Sequence, residues 1–505
     1  MNVIYSMETT KLYEEYQSHL QQVADIKYAT AVLQWDQETY MPPKGANFRA
    51  RQTATLSEWA HHLFTRESFK NLLLELNSRG DLDAGQKKNV ELSWYDYSQQ
   101  ERLSASFVRA MSELVSKSYQ SWLAARKQNS FAVFAPDLSK LLELKKQEAD
   151  MLGYEGHPYN ALLNQYERGA TTGLLDRVFA RLQAPLKELL GNIAAQPQVA
   201  DDCLRQPFAK DQQWKFGMEV LRQMGFDFEA GRQDMSEHPF TTNFSSRDVR
   251  VTTRIHENDF TSMTWSCIHE GGHALYEQGL PEAAYGLPLG EFTSLSIHES
   301  QSRLWENNVG RSADGWRHFY PLAQQYFPAQ LGPVAPDDFY RAINKVRPSL
   351  IRTEADELTY HFHVLTRYEL EKQLLEGGLT VADIPGWWNE KYKALLNVEP
   401  PDDLHGCLQD VHWSHGSLGY FPTYSLGSFY AAQFFDAAGK QVPGLAAGIR
   451  KGNFQPLLDW LRINIHCHGR RWTSEELCER VTGEPLDIRF FMQYAHDKYK
   501  AIYRF

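Results

Sequence analysis

The sequence predicts a mainly α-helical protein that folds as one unit, and three observations support this class. Apolar residues recur at intervals of three and four positions, beginning with Leu12, Tyr16, Leu20 and Val23. One alternating stretch, residues 248–255, departs from this pattern and predicts a strand. No internal repeat, low-complexity tract or linker divides the chain. Length alone would suggest roughly two to four domains, but we treat the whole chain as one.

Composition describes an acidic globular chain. Its 505 residues are 42% hydrophobic and 23% charged, and the net charge is −11. Because no basic run is present, neither nucleic acid nor an anionic membrane is an expected partner. The five cysteines are odd in number and lack a C-x-x-C pair, which indicates a reducing compartment. With no recognisable signal peptide and no apolar run of about 18 residues, the expected location is the cytoplasm.

The first part of the chain predicts a series of helices without evident chemistry. The sequence Met41-Pro42-Pro43 marks a break after the first of them. Residues 82–128 predict either one long helix or a helical pair. Further helices are expected at 49–63, 69–76, after Pro136, and at 174–193, with a kink at Pro185.

Residues 261–279 carry the strongest chemical signal. They contain His269, Glu270 and His273 in the pattern H-E-x-x-H. On a helix, positions i and i+4 share a face, so both imidazoles can bind one metal ion. Glu270 would lie beside that ion, where a carboxylate can take a proton from water.

We expect this segment to be a helix that Thr261 or Ser262 caps and Gly279 ends. Two internal glycines oppose that interpretation, because each costs roughly 1 kcal/mol relative to alanine in a helix. We interpret Gly271 and Gly272 as room for a substrate backbone close to the metal.

Glu299 is the candidate third ligand, since catalytic zinc takes three protein ligands and keeps one open position. It lies in SLSIHESQSRLW, a second predicted helix, 26 positions after His273. The intervening LPEAAYGLPLGEF is rich in proline and glycine and predicts a crossover loop. The alternative is a structural histidine pair, because a chain with 18 histidines contains H-E-x-x-H by chance on the order of a few per cent of the time.

The predicted strand at 248–255 immediately precedes the candidate metal helix. Val249 and Val251 would share one face, and Arg250 and Thr252 the other. Such a strand could present backbone groups to an extended peptide. It could equally be an ordinary strand with a solvated polar face.

Two later segments, residues 351–375 and 401–430, differ in their sequence patterns. Residues 351–375 predict a long amphipathic helix, in which Arg352 and Asp356 would form an i,i+4 ion pair. Residues 401–430 are rich in glycine, histidine and aromatic residues with weak periodicity. We interpret them as loops on a rigid scaffold, where functional residues concentrate.

The last hundred residues return to a helical pattern. His466 and His468 form an H-x-H sequence there. Because no third ligand lies close to them in the sequence, we expect both to be structural.

Six ordered motifs resemble those of the metallocarboxypeptidases typified by carboxypeptidase Taq. They are HPF at 238–240, DVRVT at 248–252, the H-E-x-x-H pattern, HESQ at 298–301, I-R-x-x-A-D at 351–356 and G-x-x-Q-D-x-H-W at 406–413. LQWDQETYMPP near the start and HGRRW and YKAIY near the end are similar as well. The resemblance therefore covers essentially the whole chain.

The resemblance implies a mainly helical fold with a deep active-site groove, a small β-sheet beside it and commonly a homodimer. It implies removal of single residues from peptide C-termini, with broad preference and poor action around proline. One ion per chain is expected, usually zinc, although cobalt can serve. A helical part at about 1–235 would cover the groove, about 236–430 would hold the metal and substrate motifs, and about 431–505 would be helical.

The same motifs suggest the residue roles. His269, His273 and Glu299 would hold the metal, Glu270 would act as general base and then acid, and His238 would shape the groove. The substrate carboxylate needs a cation that can form two parallel hydrogen bonds, for which Arg352 is the first choice and Arg250 the second. The oxyanion candidates are His412 and Tyr420, with Tyr424 behind them.

Two rival interpretations remain open at this stage. A zinc endopeptidase or dipeptidyl carboxypeptidase of related scaffold would keep the metal and change the position of the cut. Position 303 is Arg, so an E-x-x-x-D arrangement is missing, and no G-x-M-E-N stretch typical of some aminopeptidases is present. An inactive peptide-binding protein could keep the ligands but would not need Glu270.

Overall fold

The computed structural model describes the backbone of residues 2–505 and the side chains of residues 8–505. Helices form most of the described chain and one three-stranded sheet lies among them, which confirms the predicted class. Buried apolar side chains form one large core from Trp122 to the C-terminal helix and a smaller one in which Leu287 joins residues of the first hundred. Within the described part, no helix is long and apolar enough to cross a membrane. The proposed divisions near 235 and 430 stay predictions.

Nine helices precede the sheet in the described chain. They are α1 (Asn2–Thr39), α2 (Ala46–Thr65), α3 (Glu67–Asn77), α4 (Ala84–Glu101), α5 (Ala105–Gln128), α6 (Ala135–Leu152), α7 (Tyr159–Tyr166), α8 (Thr172–Ala194) and α9 (Lys210–Met224). The break after α1 falls where the two prolines predict it, and residues 82–128 form a helical pair. Asp83 begins α4 and Ser104 begins α5, each accepting hydrogen bonds from backbone N–H groups of the first turn.

The sheet follows α9 and contains β1 (Gly231–Met235), β2 (Thr241–Ser245) and β3 (Asp248–Thr253). The strand order is β1-β3-β2, with β1 parallel and β2 antiparallel to β3. Only β3 is predicted from the sequence. Its alternating valines are buried, whereas β1 (GRQDM) and β2 (TTNFS) lack alternating apolar residues and pair only through tertiary structure.

Twelve helices follow the sheet in the described chain. They are α10 (Phe260–Glu277), α11 (Leu295–Arg303), α12 (Ala313–Tyr326), α13 (Pro328–Leu331), α14 (Pro336–Ile343), α15 (Tyr360–Glu376), α16 (Ile384–Leu396), α17 (Pro422–Gln441), α18 (Leu445–Arg450), α19 (Gln455–Asn464), α20 (Ser474–Thr482) and α21 (Arg489–Tyr503). A π-helical segment, Leu304–Gly310, continues α11. Such segments are rare and often lie at functional sites.

The predicted long helix over 351–375 is wrong in its first third. Arg352–Glu354 form a single 3₁₀ turn, and α15 begins only at Tyr360. The carboxylate of Asp356 accepts hydrogen bonds from the backbone N–H groups of Leu358 and Thr359, each at 2.9 Å, so it starts the helix and does not pair with Arg352. The first half of the helix, residues 360–368, is buried on all sides and is not amphipathic.

His466 has a structural role, as expected. It is fully buried, and its Nε2 lies 3.0 Å from Oε1 of Gln301. The ring of His468 packs against that of Trp472. Neither histidine belongs to a cluster of three metal-ligating side chains among the described residues.

Candidate metal centre and substrate groove

The helix that carries H-E-x-x-H is α10, and its first turn differs from the expectation. Asp259 caps it by accepting a hydrogen bond from the backbone N–H of Thr261 at 2.9 Å, so neither Thr261 nor Ser262 is the cap. A carboxylate suits this position better than a hydroxyl because the helix N-terminus carries partial positive charge. The helix ends at Glu277, two residues before Gly279.

The two glycines of α10 serve helix packing, which corrects the interpretation as room for substrate. A Cβ atom on Gly271 would lie 2.6 Å from Cδ2 of Leu221 in α9. One on Gly272 would lie 2.7 Å from the carbonyl oxygen of Gln301 in α11. Both neighbouring helices therefore approach α10 closely, and α11 brings Glu299 to the histidines.

His269, His273 and Glu299 lie together. Their ligand atoms all fall within 4.8 Å of one another, and no other such cluster occurs among the described side chains. Nε2 of His269 is 3.7 Å and Nε2 of His273 is 3.4 Å from Oε2 of Glu299. Around a tetrahedral ion with bonds of about 2.0–2.1 Å, ligand atoms are roughly 3.4 Å apart. The three donors therefore fit a single metal ion.

Hydrogen bonds on the far side of each imidazole leave the inner nitrogens free. Nδ1 of His269 lies 2.8 Å from Oε2 of Glu306, and Nδ1 of His273 lies 2.5 Å from Nδ1 of His298. Nε2 of His298 is in turn 2.7 Å from Oε1 of Glu277. An ionised carboxylate only accepts hydrogen bonds, so Nδ1 of His269 donates to Glu306 and Nε2 of His298 donates to Glu277. Nδ1 of His298 then accepts from Nδ1 of His273, so each candidate ligand histidine carries its proton on Nδ1. Both Nε2 lone pairs then face Glu299.

The charge of this buried cluster also favours a divalent cation. Burial lowers the pKa of His273 to about 3, so this imidazole stays neutral. The carboxylates of Glu299 and Glu306 raise the pKa of His269, so this imidazole must give up its proton before it binds a metal. With both candidate ligand histidines neutral, four negative and two positive side chains leave a net charge of −2, an excess that is costly inside a protein. The charged groups are Glu270, Glu277, Glu299, Glu306, Arg303 and Arg311. One divalent ion would neutralise the cluster.

Strand β2 positions the carboxylates on the outer side of α10. Oγ1 of Thr241 donates to Oε2 of Glu270 at 2.7 Å. Two residues further, Nδ2 of Asn243 donates to Oε2 of Glu277 at 2.6 Å. Glu270 is only 7% exposed, and burial raises the pKa of its carboxyl. The carboxyl therefore lies beside the candidate ligands and is a stronger base than an exposed glutamate.

Sequence reasoning missed four supporting residues of this site: Thr241, Glu277, His298 and Glu306. Glu299 and Glu306 are seven positions apart, a spacing that would place both on one face of a regular α-helix, and this signal could have found the last of them. The others depend on a strand and on contacts that the sequence pattern does not reveal.

Replacement of His298 by phenylalanine is expected to lower metal affinity roughly 10- to 100-fold, because His273 loses the partner that orients its ring. A chelator competition titration with zinc measures this. The matched control is His496→Phe, since His496 is largely exposed and lies on α21. Equal zinc affinity in the His298 variant and the wild type would show that the contact does not support the site.

Arg352 lies in a buried cluster of charges. Its Nε donates to Oδ1 of Asp410 at 3.0 Å, and its Nη1 donates to the hydroxyl of Tyr360 at 3.0 Å. Nε of Arg367 donates to the other carboxylate oxygen of Asp410 at 2.6 Å. Two guanidinium groups against one carboxylate leave this cluster at +1. Arg352 is therefore oriented by Asp410 without being neutralised.

The oxyanion candidates lie beside this arginine. The guanidinium of Arg352 is 4.9 Å from the ring centre of Tyr424, whose hydroxyl is 3.2 Å from Nε2 of His412. The ring centre of Tyr420 lies 5.3 Å from that of His412 and 5.3 Å from that of Tyr424. Arg303 links this group to the candidate metal ligands, because its Nε donates to Glu299 at 2.6 Å and its guanidinium covers the ring of Tyr360.

Arg250 and His238 lie elsewhere. The guanidinium of Arg250 packs between the rings of Trp35 at 4.3 Å and Phe244 at 4.7 Å, and it pairs with Asp248 at 2.9 Å. It thereby joins the end of α1 to the sheet. His238 is exposed in the middle of the loop between β1 and β2, and the described contacts do not bring it to His269, His273 or Glu299.

A cavity of about 770 Å³ lies near the candidate metal site, and Glu277, which lines it, contacts His298 beside His273. Asn243 and Glu277 line its inner end, and Tyr166, which packs against Tyr420, lines one side. Residues of α1 and α4, including Lys27 and Asp96, form the outer wall. An extended chain of a few residues fits a cavity of this size.

Comparison with known proteins agrees with this geometry. The family model described as carboxypeptidase Taq (M32) metallopeptidase matches residues 15–499. The chain is 41% identical to thermostable carboxypeptidase 1 of Thermus thermophilus, over 94% of this chain and 95% of that protein. It resembles the solved M32 carboxypeptidase of Deinococcus radiodurans R1 with a TM-score of 0.96 and 41% identity, covering 98% and 100% of the two chains. A solved protein called CHT is 57% identical, with a TM-score of 0.96 over 97% and 99% of the chains. The chain therefore belongs to the carboxypeptidase Taq (M32) family of metallopeptidases.

Proposed function

We propose that this metallocarboxypeptidase removes single residues from peptide C-termini with broad specificity, using zinc and Glu270. One observation carries the proposal: a buried arginine cluster of net charge +1 is linked through Tyr360 and Arg303 to Glu299, one of the candidate metal ligands. The arginine cluster suits a free C-terminal carboxylate, and a metal ion at the candidate ligands suits the adjacent peptide carbonyl. Endopeptidases have no need for a buried cation at that position.

The metal ligands would be His269, His273 and Glu299. When bound there, a zinc ion lowers the pKa of water to about 7 and polarises the scissile carbonyl. Two imidazoles and one carboxylate are a donor set that zinc accepts, and cobalt is expected to substitute for it.

Glu270 would take the proton from the attacking water and pass it to the leaving amine. The hydrogen bond from Thr241 holds one carboxylate oxygen and leaves the other available. The raised pKa of the Glu270 carboxyl favours the first transfer, because a stronger base accepts the proton more readily.

Arg352 would receive the substrate carboxylate. Its Nε and one Nη nitrogen are occupied by Asp410, and the remaining Nη contacts Tyr360. The carboxylate would therefore bind where the guanidinium faces Tyr424, exchanging or sharing these donors. Arg367 keeps Asp410 from cancelling the charge that attracts the substrate.

His412 and Tyr420 would donate hydrogen bonds to the oxyanion. Burial, together with the charge of Arg352, lowers the pKa of His412 to about 3, so the ring is neutral and can donate from one nitrogen. Burial also raises the pKa of the Tyr420 hydroxyl, which keeps its proton available. Both groups are preorganised donors of the kind that stabilise tetrahedral intermediates.

Slow cleavage next to proline is part of the proposal, because proline lacks an N–H and fixes φ near −65°. A homodimer and a cytoplasmic location stay predictions.

The test is a pair of mixed-sequence peptides, one with a free C-terminus and one amidated, incubated with the zinc-loaded protein and followed by mass spectrometry. We expect a ladder that loses one residue at a time from the free peptide and stalls near proline. The amidated twin should stay intact. Internal cuts in both peptides would instead indicate an endopeptidase, and loss of two residues per step would indicate a dipeptidyl carboxypeptidase. No cleavage of either peptide with zinc bound would favour a binding protein.

A further inference from the structure

Glu371, on α15, is a fully buried carboxylate outside the metal centre. Its Oε1 accepts a hydrogen bond from Nε1 of Trp413 at 2.8 Å. Its Oε2 accepts from the backbone N–H of Gly419 at 2.9 Å and from the hydroxyl of Tyr159. Three donors from two other parts of the chain therefore converge on one side chain.

The two loop donors flank the oxyanion candidates. Trp413 directly follows His412, and Gly419 directly precedes Tyr420. Gly419 has a φ of +98°, which favours glycine, and a Cβ atom there would lie 2.9 Å from the carbonyl carbon of Leu162 in α7. The loop consequently has little freedom to shift along its path when both donors are held.

We infer that Glu371 is a positioning residue, whose ionised carboxylate holds the segment 413–419 so that His412 and Tyr420 keep the spacing that the reaction needs. The inference rests on the proposed roles of His412 and Tyr420. Glu371 touches neither of them, and it acts through Trp413 and Gly419. Misplacement of such donors by about 1 Å can cost about 100-fold in rate.

The protonation state of Glu371 matters because only the ionised form accepts from all three donors without competition. Burial raises the pKa of Glu371 to about 7, against the hydrogen bonds and the charge of Arg367 on the same helix, which lower it. The tyrosines Tyr159 and Tyr368 face the same region, and burial raises the pKa of both hydroxyls, so they stay neutral. Of the groups near Glu371 named here, Arg367 is therefore the one that carries a charge.

The sign of the pH effect follows from the raised pKa. Glu371 stabilises the fold most below its unfolded pKa, and that contribution is lost as pH rises through about 7. The ionised form is the one that holds the loop. Raising the pH from 6 to 8 should therefore improve the positioning of the loop. The same change should lower the free energy of unfolding, because the ionised carboxylate is buried.

The experiment compares the zinc-loaded wild type with Glu371→Gln on a peptide with a free C-terminus, measuring kcat, KM and Tm from pH 6 to 8. We expect kcat at pH 8 to fall about 10- to 100-fold with KM changed less than about threefold. The ratio of wild-type to variant kcat should grow with pH, while the Tm of the wild type falls relative to the variant. The matched control is Asp403→Asn, because Asp403 anchors the same loop to the backbone N–H of Phe131 at 2.7 Å, away from His412. Its kcat should stay near the wild-type value.

A kcat within twofold of wild type at pH 8, or an equal loss in Asp403→Asn, would overturn the inference. If Glu371→Gln does not fold, Tyr159→Phe takes its place, because it removes one donor and keeps the carboxylate. Its kcat should fall about two- to fivefold, and an unchanged kcat would overturn the inference.

His412→Ala and Tyr420→Phe are measured in parallel. If either lowers kcat while Glu371→Gln does not, the inference alone fails; if neither does, the proposed roles of the two donors fail.

Discussion

Replacement of Glu270 by glutamine is expected to lower kcat roughly 10²- to 10⁴-fold while zinc stays bound. Glutamine has the same shape and can still accept the hydrogen bond from Thr241, but it cannot take a proton from water at neutral pH. Glu270 is next to His269 in the sequence and is not one of the three candidate ligands. Catalysis should therefore be lost without loss of metal.

The measurement is kcat and KM on a free peptide, with zinc content determined on the same sample. Glu282→Gln is the matched control, because Glu282 is an exposed carboxylate on the loop after α10 that pairs with Arg247. A Glu270 variant that keeps more than a tenth of the wild-type kcat would contradict the assignment of the base.

The second large effect is expected at Arg352. Its replacement by methionine should lower kcat/KM for a free peptide roughly 10²- to 10³-fold, because truncating one partner of a buried charge pair costs about 2–5 kcal/mol. The variant should also lose most of the preference for the free peptide over its amidated twin.

The protein should still fold without the Arg352 guanidinium. Asp410 keeps its contact with Arg367, so the substitution leaves no unpaired buried carboxylate. The corresponding Arg250→Met variant tests the second choice and should lose much less activity, since Arg250 packs between Trp35 and Phe244. A larger loss at Arg250 than at Arg352 would reverse the assignment of the carboxylate site.

The clustering of the three candidate metal ligands could be predicted from the sequence, because it depends largely on local spacing. His269 and His273 share a face of α10 by helical geometry alone. Glu299 required only a second helix after a short crossover, and α11 is that helix. The helical class was similarly predictable, since amphipathic periodicity extends over most of the chain.

The supporting contacts could not be predicted from the sequence, because they join residues that are distant in it. Arg352 has Asp356 four positions away, yet it pairs with Asp410, which lies 58 positions away. The nearer carboxylate is engaged by backbone N–H groups at the start of α15. Similarly, β2 forms because β3 offers it a ladder, and Thr241 reaches Glu270 only in that arrangement.

The glycines of α10 show how the same residue permits opposite interpretations. A glycine in a helix predicts that something approaches closely, but not what approaches. At Gly272 the neighbour is the backbone of α11, the helix that carries the third ligand candidate. Close packing of two helices, and not of substrate, places Glu299 opposite the histidines.

The most direct test is a crystal structure of the Glu270→Gln protein with zinc and a short peptide, with anomalous diffraction recorded at the zinc edge. We expect one strong anomalous peak, at about 2.0–2.2 Å from Nε2 of His269, Nε2 of His273 and a carboxylate oxygen of Glu299. The peptide should end at Arg352 with its free carboxylate. A zinc peak away from these three side chains, or a peptide that continues past Arg352, would contradict the proposed carboxypeptidase site.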